Sequence, residues 1–320
     1  MSTTPSTSDL PPSYTVVGGG KGRRVSGRRR GLSLILLHRG GILNRAEVFA
    51  EFERLGAEEI LSIEGPEASY DIEPLSLRFP RIRFILLHSP ADPGRRIDIG
   101  MRESSGDLAA VLWSDLSVPA DTFSGPLVER LRKNRLLCAA PWFIGRKGEV
   151  LPALQAPAFD KKRLKVLSIV PTKEESPTLF PQDFCGIYDR EKYFLLGGYD
   201  PGIENPYWQK MDFGFRAHLW GEKILCLRDF RLSPGDSVTA EDLTPDAGYR
   251  AFFLKNLAVR FTGDRGVLPL GRFASFYFRC GCGLLTAVRE FRRVRSWVEK
   301  NGYRFRMDSS SVTELWEDPE

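Results

Sequence analysis

The sequence contains no apolar run of the roughly 18 residues that a membrane-spanning helix needs. Cysteine is scarce. Five residues, an odd number without framework spacing, exclude a disulfide-stapled scaffold and suit a reducing, cytoplasmic setting. Cys280 and Cys282 form a CxC that lacks the second ligand pair of a zinc site, so they read as buried or incidental thiols. The three histidines, His38, His88 and His218, lie far apart, which argues against a triad or a histidine-built metal centre. No G-x-G-x-x-G follows the first strand pattern, and GGGKGRR lacks the GK[ST] ending of a phosphate loop. The opening MSTTPSTSDLPPSY has neither a basic nor an apolar leader region, so no secretory signal is expected in it.

A 320-residue chain with 42% hydrophobic residues has enough apolar surface for one large core or two modest ones. The net charge of +5 is small but unevenly placed. Residues 20–30 carry six basic side chains and no acid; residues 284–306 carry seven against Glu290 and Glu299. Such patches suit phosphates, as in anionic lipid head groups or a phosphorylated acceptor; the alternative is a disordered arm and a solvated helix face. No nucleic-acid module accompanies them, so nucleic acid is not an expected partner.

Residues 1–30, Ser/Thr/Pro-rich and then Gly/Arg-rich, are expected to form a disordered basic arm. LSLILL at 32–37 reads as a buried strand. A helix follows with Ala46, Val48, Phe49, Phe52 and Leu55 on one face, and then the strand EEILSIEG. RIRFILLH makes a third strand. PGRRIDIGMRE is a helix whose Ile97, Gly100, Met101 and Ser104 face the sheet, and LAAVLW is a central strand that ends at Asp115. Ligands in open α/β sheets bind at such carboxyl ends; the alternative for Asp115 is a turn-capping role. Further on come a helix over Asp121–Asn134, a strand in RLLCAAPWFI, loops with one strand (LKVLSIV) over 145–184, the strand FCGIYD, a Gly-Gly turn, a helix around WQKMDFGFRAHLWG and the strand KILCL. Asp246 is placed to cap the first of several C-terminal amphipathic helices.

This order resembles the family-2 glycosyltransferases of the GT-A fold over roughly residues 31–230. PGRRIDIGMRESSGDLAAVLWSDL resembles the family's segment ending in a D-x-D motif. DREKYFLLGGYDPGIENPYWQKMDFGFRAHLWGEKI resembles its GGFDE…ED.DL..R segment, matching at Gly197, Gly198, Tyr199, Asp200, Asp212 and Arg216. The resemblance implies an α/β fold, a GT-A-type open, mostly parallel sheet flanked by helices with a C-terminal helical extension: residues 1–30 as arm, 31–235 as glycosyltransferase-like domain, 236–320 as extension.

The resemblance also implies a function: transfer of a sugar from a nucleotide sugar, UDP-linked, to a glycan or lipid-linked acceptor, with peripheral contact at an anionic membrane. Glu64, Asp98 and Asp115 would lie on the donor side, with Asp115 also the ligand of a divalent cation, Mg²⁺ or Mn²⁺, that neutralises the departing diphosphate. Asp212 would be the surviving candidate base, and Gly197, Gly198, Asp200 and Trp208 would lie on the acceptor side. For Asp212 and Arg216 an i,i+4 structural pair is the alternative, and for Trp208 a place in the core. Two departures stand out. Trp113-Ser114-Asp115 keeps only the second aspartate of D-x-D, and Gln209-Lys210 replaces the acidic pair. They give the rival reading, a GT-A-fold binding or scaffolding protein without catalysis.

Overall fold

In this computed structural model the described residues are 12–19, 29–39, 45–67, 71–160, 163–235, 240–314 and 316. In chain order their strands are β1 Tyr14–Gly18, β2 Arg29–Leu37, β3 Glu59–Glu64, β4 Ile82–Leu87, β5 Gly106–Trp113, β6 Cys138–Phe143, β7 Leu154–Asp160, β8 Arg163–Ile169, β9 Glu175–Pro177, β10 Gly186–Asp189, β11 Ile224–Leu232, β12 Arg260–Thr262 and β13 Arg265–Val267. The helices are α1 Arg45–Glu53, α2 Ile72–Arg78, α3 Pro93–Glu103, α4 Gly125–Asn134, α5 Arg190–Leu196, α6 Pro206–Leu219, α7 Ala247–Phe252, α8 Arg272–Cys280, α9 Leu284–Asn301 and α10 Ser309–Glu314.

Nine strands form one sheet in the order β1-β4-β3-β2-β5-β10-β6-β11-β9. β2 pairs in parallel with β3 and β5, and β3 with β4. β10 lies antiparallel between β5 and β6, and β11 runs parallel to β6. Six strands therefore share a direction. The runs LSLILL, LAAVLW and CAAPWF are buried along their length because helices cover both faces, so they show no alternation. Pro141 in β6 has no N–H to donate, and the β6–β11 register shifts between Leu227 and Arg231 just beyond its partner Leu227.

Caps set the helix starts. Asp92 accepts from Arg95 N ahead of Pro93, Asn205 from Tyr207 N and Trp208 N ahead of Pro206, and Asp246 from Tyr249 N, as its position in the sequence suggests. On α3, Ile97, Gly100 and Met101 are buried against the sheet.

Two elements differ from the sequence expectation. Tyr14–Gly18, within the stretch expected to be a disordered arm, pairs with β4 as an edge strand; its β-branched residues meet an edge that is otherwise open. The remainder of that arm, residues 1–11 and 20–28, lies outside the described residues. Over 145–184 there is a β7–β8 hairpin as well as β9, rather than one strand among loops.

The core has two parts. One lies on the sheet, built from β2–β6, β10 and β11 with Phe49, Ile97, Met101 and Phe213. The other joins α6 to the C-terminal helices through Trp208, Met211, Phe215, Phe252, Phe276, Phe291 and Val298. α6 has one face in each, and eleven of its fourteen residues are buried.

At the amino-terminal end of β11, away from Asp115, lies a cavity of about 510 Å³ lined by Glu175, His218, Lys223, Ile224, Met307 and Trp316. His218 Nε2 lies 3.1 Å from the Thr178 carbonyl oxygen, and burial holds its pKa down at about 4. An unfolded imidazole titrates near 6.5, so the unfolded chain takes up a proton that the folded chain refuses. Stability is expected to be full above that pH and to fall as pH drops from about 6.5 toward about 4, by at most roughly 3 kcal/mol from this group. His218→Gln should flatten that slope in denaturant titrations; an unchanged slope would remove His218 from the account.

Candidate functional site

Because β2, β3 and β5 are parallel, their carboxyl ends emerge at one edge of the sheet. Polar side chains there make a closed network. His38 follows β2, Ser62 and Glu64 end β3, Ser114 follows β5, and Arg45 opens α1; none is more than 9% exposed. Arg45 Nη1 donates to His38 Nδ1, and a guanidinium only donates, so the ring proton sits on Nε2. Nε2 then donates to Ser62 Oγ at 2.6 Å, and Ser62 Oγ donates to Glu64 Oε1 at 2.5 Å. Ser114 Oγ lies 2.8 Å from His38 Nδ1. Burial lowers the His38 pKa despite the pull of Glu64. Glu64, expected near a nucleoside, is thus 1% exposed and belongs to the floor beneath the strand ends.

Above this floor is a rim. Ser114 N donates to Leu37 O at 2.9 Å, and the chain then turns to present Asp115. The Arg39 guanidinium lies over the Trp113 ring, 4.2 Å from its centroid. Its Nε is 3.9 Å from Asp115 Oδ2, and its Nη2 forms an ion pair with Asp183. Trp113 Nε1 donates to Asp183 O at 2.8 Å. Asp183 and Phe184 both have left-handed backbone, with φ of 53° and 63°. Two consecutive non-glycine residues there cost on the order of 1–3 kcal/mol each, and the surroundings must hold them. Trp113 and the Tyr188 hydroxyl, which donates to Phe184 O at 2.9 Å, do so.

Lys210 completes the cluster from α6. It is 2% exposed, forms an ion pair with Glu241, and lies 5.3 Å from the Phe184 ring centroid. Burial lowers its pKa, and Arg39 also lowers it. Arg39, Asp183 and Lys210 come from three separated segments. The sequence holds no spacing signal that would join them.

At the rim the described carboxylates are Asp115 and Asp183, so a divalent cation there would lean on phosphate oxygens and water as well. Among the described residues no three His, Cys, Asp or Glu side chains are grouped to hold a metal. Asp115 and Asp183 both face the Arg39 guanidinium.

The Gly197–Gly198 turn is built from below. Gly197 ends α5 with φ of 94°, and Gly198 follows with φ of 63°. A Cβ on Gly198 would stand 2.6 Å from Asp98 Oδ1 and 3.0 Å from the Tyr193 ring, so only glycine fits. Asp98, expected on the donor side, is therefore beside this turn. It accepts from Tyr193 at 3.2 Å and from Arg102 at 2.8 Å, and burial raises its pKa. Arg216 donates to Leu196 O at 2.6 Å and Gly198 O at 2.8 Å.

Asp212 holds Arg216 in that position. It is 0% exposed, its Oδ2 is 2.7 Å from Arg216 Nη2, and its Oδ1 accepts from Asn256 at 2.9 Å. Both oxygens are engaged, and the C-terminal helices cover them. Asp212 thus makes the i,i+4 pair with Arg216 that its spacing allows. Trp208 is likewise in the core, 7% exposed, stacked on Phe252 and donating to Thr244 O. Asp200 pairs with Lys255; burial works to raise its pKa, but the Lys255 ammonium outweighs that and holds it low. Gln209, in the acidic-pair position, ties α6 to α3: it donates to Asp92 at 2.5 Å and accepts from Gly94 N at 3.2 Å.

Asp212→Asn should destabilise the protein by about 3–5 kcal/mol, because it strands a buried guanidinium. Urea unfolding measures this, and Asp212→Asn combined with Arg216→Met should recover part of the loss. Wild-type stability in the single variant would show that the pair does not hold this region together.

No family model matches the sequence, and no curated protein matches it. Among solved structures the chain is similar to GalNAc-T7, determined with UDP, GalNAc and Mn²⁺, at a TM-score of 0.59 and 14% identity. The match covers 90% of this chain and 57% of that one, so the chain spans little more than half the length of this neighbour. At that identity the likeness speaks for architecture: the chain has a GT-A-like glycosyltransferase fold, a large, mostly parallel sheet flanked by helices.

Proposed function

We propose that the chain is a family-2-type glycosyltransferase with a degenerate D-x-D motif, taking a UDP-linked sugar at the ends of β2, β3 and β5. Residues 31–235 would form the donor-binding domain and 236–320 a cap on its acceptor side, where a glycan or lipid-linked acceptor would enter. The observation that carries this reading is the sheet order itself. An antiparallel β10 inserted between β5 and β6, beside the strand end that carries Asp115, supports this reading, as does the similarity to a structure determined with UDP.

In transfer, an acceptor hydroxyl oxygen bonds to the anomeric carbon as the carbon–oxygen bond to the diphosphate breaks, and the hydroxyl proton passes to the departing diphosphate. The departing diphosphate needs positive charge, and the cation at this rim is Arg39, oriented by Asp115, Asp183 and the face of Trp113. A divalent ion would bring Lewis-acid neutralisation of the same charge. Asp115 would hold it together with diphosphate oxygens and water. Asp212 acts through Arg216 on the Gly197–Gly198 turn.

A second reading, donor binding without transfer, is favoured by one observation: the acid left in the motif, Asp212, is sealed, and Gln209 and Lys210 offer no carboxylate.

UDP should raise the melting temperature in EDTA as well as in Mn²⁺, and Arg39→Ala or Asp115→Ala should cut the shift by at least about half. No UDP effect under either condition would sink both readings. Release of UDP from UDP-sugars, with candidate acceptors present, separates them: turnover supports transfer, and binding without turnover supports the second reading.

A further inference from the structure

The corner between α8 and α9 presents apolar side chains that the fold does not use. Phe276 and Cys280 on α8, and Ala287, Phe291, Val294 and Val298 on α9, fill the core beneath. Phe278 is nevertheless 84% exposed, Leu284 54% and Leu285 87%. Only the short turn Gly281–Gly283 separates the two helices, so these three residues gather at one projecting tip. A large aromatic and two leucines in water at the same corner are costly, and such patches mark contact surfaces.

The charge around the tip identifies what it meets. Arg279 is next to Phe278, and Arg289, Arg292 and Arg293 continue from Leu285 along the exposed face of α9. The nearby acids are already committed: Glu290 pairs with Arg250 and Glu299 with Arg295. Among the described residues Arg279, Arg289, Arg292 and Arg293 form no ion pair. An apolar tip flanked by uncompensated arginines is the arrangement of an interfacial anchor, with side chains at the acyl boundary and guanidinium groups at lipid phosphates. No described helix is long and apolar enough to cross a membrane.

We infer that the α8–α9 corner docks on an anionic phospholipid bilayer, with Phe278, Leu284 and Leu285 inserted and Arg279, Arg289, Arg292 and Arg293 on the head groups. This surface stands on its own geometry and does not depend on sugar transfer. The basic C-terminal stretch was legible in the sequence; that its apolar residues fall into one core face and a separate exposed tip was not.

The test is flotation of the full chain with vesicles of phosphatidylcholine alone, or mixed in about equal parts with phosphatidylglycerol. The protein should float with the anionic vesicles and stay behind with the neutral ones, and should be released by salt. Phe278→Ser with Leu285→Ser should weaken binding at least about tenfold, and Arg289→Glu should weaken it about fivefold or more. These side chains are exposed, so melting temperatures should hold. Phe278→Trp should show a blue-shifted emission, over the wild-type background, only with anionic vesicles. Absence of flotation, equal binding to both vesicle types, or wild-type binding by the variants would overturn the inference. So would a serine double variant whose effect is to dissociate a dimer in light scattering without altering flotation, since the tip would then be an interface between copies of the chain.

Discussion

The buried pair of Asp212 and Arg216 is the constraint on which the far half of the molecule depends. Both charges lie in α6, a helix enclosed by the sheet on one side and by the C-terminal helices on the other. An ion pair in such a place contributes to stability only when its remaining hydrogen-bonding capacity is met. Here it is met from three directions: Asn256 from beyond α7, and the carbonyl oxygens of Leu196 and Gly198 at the end of α5. The pair thereby ties the segment around Asn256, the central helix and the Gly197–Gly198 turn into one unit.

The strand-end rim follows a different logic. Its floor is neutral and closed, a chain of hydrogen bonds from Arg45 through His38 and Ser62 to Glu64. Its upper layer is charged and partly open, with Arg39 between Asp115 and Asp183. Trp113 links the layers, its ring supporting the guanidinium and its N–H fixing the strained turn at Asp183. Trp113 is therefore the side chain that holds Arg39 and the Asp183 turn together.

Several features were readable before any coordinates. Continuous apolar runs marked β2, β5 and β6, because strands buried on both faces need no alternation. Asp246 marked a helix start, since its side chain accepts an N–H group that the first turn leaves unmet. Trp208 and Asp212 carried two readings each, because periodicity reports that a residue faces something but not what it faces. A helix with core on two sides has its polar residues sealed with the rest.

The sequence by itself determined the order of most central elements, the α/β class and the resemblance in residues 31–230, because burial and capping are written locally in side-chain type. Tertiary structure alone decided that β10 runs antiparallel, that Asp98 sits by Gly198, that Arg39 meets Asp183 and that Lys210 lies by the neighbouring Phe184. Those contacts join segments distant in the chain, and their energies exist only after the sheet and its helices have packed. No local pattern encodes them.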